Sequence, residues 1–432
     1  MLWYQELIQI FKIGGLRKKI LFVLLVFAIF RLMANIPMPG INVENLEQFF
    51  ARFKMMGLLS ILTGGTLSRF SIIMLGLGPY ITAVIILQLL TMIFPQLEKM
   101  YKEEGEAGRR KFEQYGRILT IPLAVLQSYA MLSWFQRPPN SVISPPFNFL
   151  QTITAISTIT AGTVFLMWLG ELISEKGIGN GVSLLIFAGI IASFPMSVFQ
   201  AYQDVSLDPA KIPNYLLFFA MALIIITGVV LITEGRRNIP VSYAKRVRGN
   251  KMYGGVSTYL PMNINPAGVI PIIFAMSILL FPEMIVNFLG GAGGIIGNIA
   301  QNIAAFLANP WVKGILYFAL VVLFTYFYTA VTFDPKAISQ NLQKMGGFVP
   351  GIRPGESTAK FIHYILNRVL LIGALFLGLI AVMPSIVGWL TGVANVFDFL
   401  IGGTSLLIVV SVVLETMRQV NSQLQMREYE TF

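Results

Sequence analysis

Ten stretches of this chain are apolar over enough residues to cross a lipid bilayer, and nothing else in the sequence restricts the fold as tightly. They run near Ile20 to Asn35, Phe70 to Phe94, Ile118 to Phe135, Leu150 to Leu172, Gly181 to Phe199, Tyr215 to Thr233, Ala267 to Phe288, Val312 to Phe333, Val369 to Leu390 and Phe399 to Thr416. A hydrocarbon core of about 30 Å takes a helix of roughly 20 residues. No water is present there to bond free peptide groups, so each run must be a helix or a local break buried inside a bundle. Of the 432 residues, 56% are hydrophobic and 12% charged, and the mean hydropathy is +0.73. Soluble domains give roughly a quarter of their residues to charge. The reading is an all-α integral membrane protein of ten transmembrane helices, with no stretch left for a large soluble domain.

The net charge of +11 is arranged by side. When ten spans alternate, the segments around 12–19, 99–117, 236–251 and 336–368, together with Lys176 and the tail from Arg418, all share the face of the N-terminus. Of the 31 basic residues, only Arg52, Lys54, Arg69, Arg137, Lys211 and Lys313 fall on the other face, with Arg31 inside the first span. Basic loops stay cytoplasmic, so both termini are expected there. The first apolar run follows Arg17, Lys18 and Lys19 and ends in Asn35-Ile-Pro37 without a small-x-small cleavage site, which reads as a retained span. Five spans per half, 1–213 and 214–432, start the second half on the opposite side from the first. Any repeat between the halves is therefore inverted in the membrane, with its working site at their interface.

Several chemistries are excluded by what the chain lacks. It has no cysteine and a single histidine, His363, beside a cytoplasmic loop, so thiol chemistry and a multi-histidine metal site are ruled out. Glu171, Glu234 and Glu415 fall at cytoplasmic span ends, so the buried carboxylates of ion-coupled pumps are missing. No intramembrane nucleophile has a base near it. An enzyme is not expected, nor a metal or cofactor. A secondary solute transporter built on an inverted repeat is the alternative to a channel. Arg31 reads as snorkelling or paired with a neighbouring helix.

Four local patterns stand out. The segment Lys54-Met-Met-Gly-Leu-Leu-Ser-Ile-Leu-Thr-Gly-Gly-Thr-Leu-Ser-Arg69 is apolar but too short and glycine-broken to span. It suits a half-inserted helix ending at a Gly64-Gly65 hinge, or an amphipathic loop on the outer surface. Gly76-Leu-Gly-Pro79 interrupts the second run, as a functional kink or as packing. Gly177-Ile-Gly-Asn-Gly181 has no preceding strand and no following Lys-Ser or Lys-Thr, so it is a tight turn and not a phosphate loop, while Gly290-Gly-Ala-Gly-Gly294 is a flexible outer loop. The cytoplasmic connections 234–266 and 334–368 carry the most shape. In the first, β-branched and aromatic residues flank a basic Gly249-Asn250 tip, a hairpin signal. In the second, Phe348-Val-Pro-Gly-Ile-Arg-Pro-Gly-Glu356 holds Arg353 on a rigid turn. Stiff basic surfaces exceed what orientation needs and point to a polyanionic or acidic partner.

These loops, with Gly105-Glu-Ala-Gly-Arg-Arg110, Trp168-Leu-Gly-Glu-Leu-Ile-Ser-Glu-Lys-Gly-Ile-Gly-Asn-Gly181, Tyr243-Ala-Lys-Arg246 and Gly402-Gly-Thr-Ser-Leu-Leu-Ile408, resemble the bacterial SecY family from Lys12 to the C-terminus. The resemblance implies two inverted five-helix halves forming a protein-conducting channel in the bacterial inner membrane. It further implies a pore ring of Leu77, Ile81, Ile186, Ile190, Ile273 and Ile408, and a short plug helix near 57–67 carrying Gly57, Leu58, Leu59, Ile61, Leu62, Gly64, Gly65 and Leu67. A lateral gate to membrane lipid would lie between spans two and three on one side and seven and eight on the other. Gln88 and Gln127 would bond there when the gate is closed, as ordinary interhelical amides also would. Implied partners are the small subunits SecE and SecG, the SecA motor ATPase, the ribosome, and unfolded preproteins with signal sequences. Lys245, Arg246, Arg248 and Arg353 would dock the motor or ribosome, and ATP would be used on the motor, not on this chain.

Overall fold

The computed structural model describes residues 13–41, 45–46, 60, 63–136, 142–143, 145–243, 246–248, 251–253, 257–276, 278–279, 302, 306, 309–391 and 403–430. The plug positions Gly57, Leu58, Leu59, Ile61 and Leu62, the docking residue Lys245 and the loop 290–294 lie outside them. The chain divides into two compact units, Met1–Leu217 with Thr391–Phe432, and Phe218–Leu390.

In the first unit, α1 (Gly14–Ala34) is followed by α2 (Gly78–Ile93), α3 (Pro95–Lys102), α4 (Gly105–Phe135), α5 (Phe149–Lys176) and α6 (Gly181–Leu207). Asn148 and Asn180 cap α5 and α6. Gln151 Oε1 accepts from the Asn148 N–H at 2.9 Å, and Asn180 Oδ1 accepts from Ser183 N–H at 3.2 Å, which satisfies donors that every helix start leaves open. Charged α3 turns 112° away from apolar α2 at the Phe94-Pro95 break. Helix α4 packs on α2, α3 and α5, while α5 and α6 pack on each other and on α1. Two buried hydroxyls of α4 are satisfied within their own helix: Thr120 donates to Gly116 O at 2.7 Å and Ser128 to Ala124 O at 2.6 Å.

The second run of the sequence is helical only from Gly78; residues 63–77 are a chain of turns. Gly76 has φ +55° and Pro79 sits in the first turn of α2. The Gly76-Pro79 pattern therefore starts a helix instead of kinking one, because a left-handed residue cannot lie inside a right-handed helix and proline suits its first turn. The turns are pinned to the strand-like segment after α1: Met38 N–H donates to Phe70 O at 3.0 Å and Ile72 N–H to Ile36 O at 3.1 Å. Below them Leu67, Phe70 and Met74 form one core with Met38, Met131, Leu132, Phe135, Ile143 and Ile159.

Helix α7 (Ile212–Glu234) leads into the second unit, where β1 (Arg236–Tyr243), β2 (Arg246–Arg248), β3 (Lys251–Tyr253) and β4 (Ser257–Asn263) precede α8 (Pro310–Thr332), α9 (Pro335–Lys344), β5 (Gly347–Phe348) and α10 (Glu356–Thr391). The hairpin expected at Gly249-Asn250 is present: β2 and β3 pair antiparallel with Arg248 opposite Lys251. Beyond that expectation, β1 pairs along its length with β4 and also with β5, so the two long connections share one sheet of order β4-β1-β5. Its core is Ile239, Val241, Met262, Leu342, Val349, Ile362 and Leu366. Strands thus supplement the all-α expectation, because chain outside the hydrocarbon can pair its backbone between segments. In the membrane part of this unit, small residues admit close approach: a methyl at Gly378 would lie 2.7 Å from the Phe318 ring, and one at Gly228 3.2 Å from Phe376.

The last helix, α11 (Gly403–Glu430), belongs to the first unit and packs on α6. Among the described residues six helical stretches are long and apolar enough to span a bilayer, or seven if the bent α2–α3 pair counts as one span.

Candidate functional site

Five of the six aliphatic ring candidates fall in the first unit. Leu77 is the residue before α2 and accepts the Ile81 N–H at 3.0 Å, which keeps the expected spacing of one turn although Leu77 itself is not helical. Ile186 and Ile190 are successive turns of α6, and Ile190 is fully buried. Ile408 is buried in the second turn of α11, the helix packed on α6. Ile273 lies in the second unit, half-buried in a short helical stretch at 270–276 next to Phe274, whose ring stands edge-on to Phe324 at 5.9 Å.

The glycine hinge meets α6 between two of these residues. Gly64 and Gly65 both have φ +76°, and a methyl at Gly64 would lie 2.6 Å from the Cα of Gly189 and 3.1 Å from Phe30 Cζ. Backbone touches backbone here, which only two glycines permit. Gly189 was not singled out from the sequence. Its signal is a glycine inside a spanning helix, the usual mark of close helix approach. Ser60 closes the segment: its carbonyl accepts from Gly65 N–H at 2.7 Å and from Thr63 Oγ1 at 3.0 Å, while its hydroxyl accepts from Ser68 N–H at 3.0 Å. Leu67 is fully buried in the core beneath, so it anchors the segment to the body of the unit.

Arg31 belongs to the same site. Its Nη1 donates to Gly64 O at 3.4 Å, and Asn35, one turn on, donates to Arg31 O at 2.8 Å and accepts from Arg69. Of the two roles open to Arg31, pairing therefore describes it, but with a turn and not a neighbouring helix.

Gln88 and Gln127 do not bond each other. Leu87 packs at the level of Gly116 on α4, and Gln127 lies about 16 Å further along that helix. Register thus separates the two amides. Gln88 Oε1 is buried without a partner among the described residues.

Arg246 and Arg248 lie in β2 of the separate β2–β3 hairpin. Arg353 is exposed on the turn between β5 and α10, which is rigid for identifiable reasons. Gly351 and Gly355 take φ +81° and +98°, Thr358 Oγ1 donates to Arg353 O at 2.9 Å, Ser339 Oγ donates to Gly355 O at 2.6 Å, and buried Val349 ties the turn to the sheet core. His363 is exposed and hydrogen-bonds Asn367 at 3.1 Å. The Gly177–Gly181 turn is held by α11, with Gln419 Oε1 accepting from Gly179 N–H at 2.7 Å above a cluster of Leu16, Ile178 and Val420. Gln419 was also missed, since nothing in its local sequence announces a partner 240 residues away.

The arrangement has the fold of the protein-conducting channels. The structure called "The structure of a protein conducting channel" matches with a TM-score of 0.64 at 18% identity, over 93% of this chain and 91% of that one. "Sec61 in the Canine ribosome-channel complex from the endoplasmic reticulum" matches with a TM-score of 0.63 at 19% identity, with the same coverage. The sequence is more specific. The SecY family model matches residues 71–417. The protein translocase subunit SecY of Streptomyces scabiei is 42% identical over 98% of each chain, and that of Thermotoga maritima is 43% identical over 99% of this chain and 97% of its own. The chain belongs to the SecY family.

Proposed function

We propose that the chain is the channel-forming subunit of a protein translocase, which threads unfolded secretory polypeptides across the bacterial inner membrane and releases apolar segments sideways into lipid. The observation that carries this reading is full-length similarity, at 42–43% identity, to proteins named protein translocase subunit SecY. A solute transporter is not favoured by relatives so named over their whole length.

The mechanism needs no covalent step at this chain. Ten spans in inverted halves, 1–213 and 214–432 with both termini cytoplasmic, enclose a constriction of Leu77, Ile81, Ile186, Ile190, Ile273 and Ile408. An apolar constriction dewets and so blocks ions, yet branched aliphatic side chains hold no preferred partner in the polypeptide that displaces them. The plug covers the constriction from outside. Its movable part ends at Gly64-Gly65, because Leu67 is buried in a core that would have to open for the segment to move further back. Spans two and three, carrying Gln88 and Gln127, form one wall of the lateral gate. SecE and SecG complete the channel. SecA or a ribosome sits on Arg246, Arg248, Lys245 and Arg353 and supplies the driving force, with ATP used on the motor and not on this chain.

The test is reconstitution of the chain with its small subunits in vesicles, adding SecA and a secretory precursor. ATP-dependent protection of the precursor from external protease is expected; no protection in vesicles of verified composition refutes the reading.

A further inference from the structure

A cation inside a spanning segment is costly and persists where it has work to do. Arg31 stands in the last turn of α1, half-buried, and among the described residues no carboxylate forms an ion pair with it or with Arg69. Its recorded side-chain partner is the Gly64 carbonyl, at 3.4 Å. That carbonyl belongs to the glycine whose backbone rests on Gly189, the residue beside Ile190 on α6. A guanidinium facing a carbonyl at the end of a hydrogen-bonded turn is a charge-assisted contact; at 3.4 Å it is longer than an ordinary hydrogen bond, and its strength is the ion–dipole attraction, which grows away from water. Asn35 bonds both Arg69 and the Arg31 carbonyl, so a second cation stands close by. With no carboxylate paired to either cation among the described residues, the Gly64 carbonyl is the dipole that offsets the charge of Arg31.

We propose that Arg31 is a positioning residue that latches the Gly64-Gly65 hinge in its seat against Gly189, releasing the Gly64 carbonyl when the segment before it swings away. The proposal rests on reading residues 57–67 as a movable plug. In the seated state the contact pairs a cation with a fixed carbonyl dipole. In the released state the guanidinium turns to water in the opened mouth, so the latch is reversible and needs no second carboxylate. A permanent ion pair with Asp or Glu at this depth would hold more tightly and release less readily.

The experiment measures resting ion conductance of the full chain with its small subunits in planar bilayers. Five chains are compared: parent, Arg31→Met, Arg31→Lys, a deletion of 57–67, and Arg31→Met in the deletion background. Arg31→Met is expected to raise resting conductance about tenfold, the size of one lost charge-assisted hydrogen bond, and to add nothing to the deletion. Arg31→Lys keeps the charge and is expected to stay within about threefold of the parent, since a lysine ammonium is a shorter-reaching point charge. If the deletion leaks and Arg31→Met does not, the plug reading stands and the latch is refuted. If Arg31→Met leaks equally with and without residues 57–67, or if lysine leaks as much as methionine, the latch is likewise refuted. A deletion that does not leak removes the plug reading itself. Retention of the small subunits on purification separates all of these from misfolding, and loss of them in both Arg31 variants would assign the residue to assembly and overturn the proposal.

Discussion

The contact between Gly64 and Gly189 can be taken apart by three single methyl groups. At Gly64 a methyl meets the Gly189 Cα at 2.6 Å and Phe30 Cζ at 3.1 Å, and the residue has φ +76°. The left-handed backbone costs an L-residue about 1–2 kcal/mol, and forcing a methyl into a filled space costs about 1–3 kcal/mol more. Gly64→Ala should therefore destabilise the seated hinge by about 2–5 kcal/mol, which is about 25-fold or more in the ratio of seated to unseated chains at roughly 1.4 kcal/mol per factor of ten. Gly65 has the same φ, but the nearest atom to its methyl is Ser68 Oγ at 3.9 Å, so Gly65→Ala carries the backbone cost alone. Gly189 is helical, and its methyl meets the Gly64 Cα at 2.6 Å, so Gly189→Ala carries only the steric cost, less roughly 1 kcal/mol gained in helix propensity. Resting ion conductance in vesicles should rise most for Gly64→Ala and less for each of the other two. A Gly64→Ala conductance no higher than that of Gly65→Ala would show that backbone strain is the whole effect, and that the hinge does not depend on α6.

Arg353→Glu should cut SecA-driven precursor transport to below about a tenth of the parent rate by reversing charge on an exposed rigid turn; the melting temperature in detergent should not change, and normal transport would rule out a docking role. Ile408→Asn should admit precursors with defective signal sequences, because it adds an amide to an apolar position packed beside α6; unchanged selectivity in a transport assay would remove Ile408 from the ring. Gly181→Ala should lower thermal stability by about 3 kcal/mol or prevent accumulation altogether, since the methyl would stand 1.8 Å from the Gly170 carbonyl oxygen and backbone cannot give way cheaply; an unaltered unfolding midpoint would refute the close α5–α6 packing.

Much of the site was legible where chemistry is local. The hairpin tip followed from Gly249-Asn250 between β-formers, and the rigid display of Arg353 followed from its flanking prolines and glycines. The break before α2 was visible as Gly76 to Pro79, but its sense was not: a left-handed glycine and a first-turn proline read equally well as a kink until the turns at 63–77 are seen bonded to 36–38. The separation of Gln88 from Gln127 was hidden for a related reason. Residue type marks a polar seam, while register between two helices decides which amides share a level.

The sequence by itself determined that the chain lies in a membrane and which family it belongs to, because hydrophobic length and motif order are properties of the linear chain. Only the tertiary structure decided what touches what across long separations. It joined the two basic connections through β1 and β5, tied Gln419 to the Gly179 turn, and laid Gly64 on Gly189 within reach of Arg31. Each of these contacts has a backbone group or a glycine on at least one side, which carries no side chain to signal a partner, so the pairing is fixed by packing and left unwritten in composition or spacing.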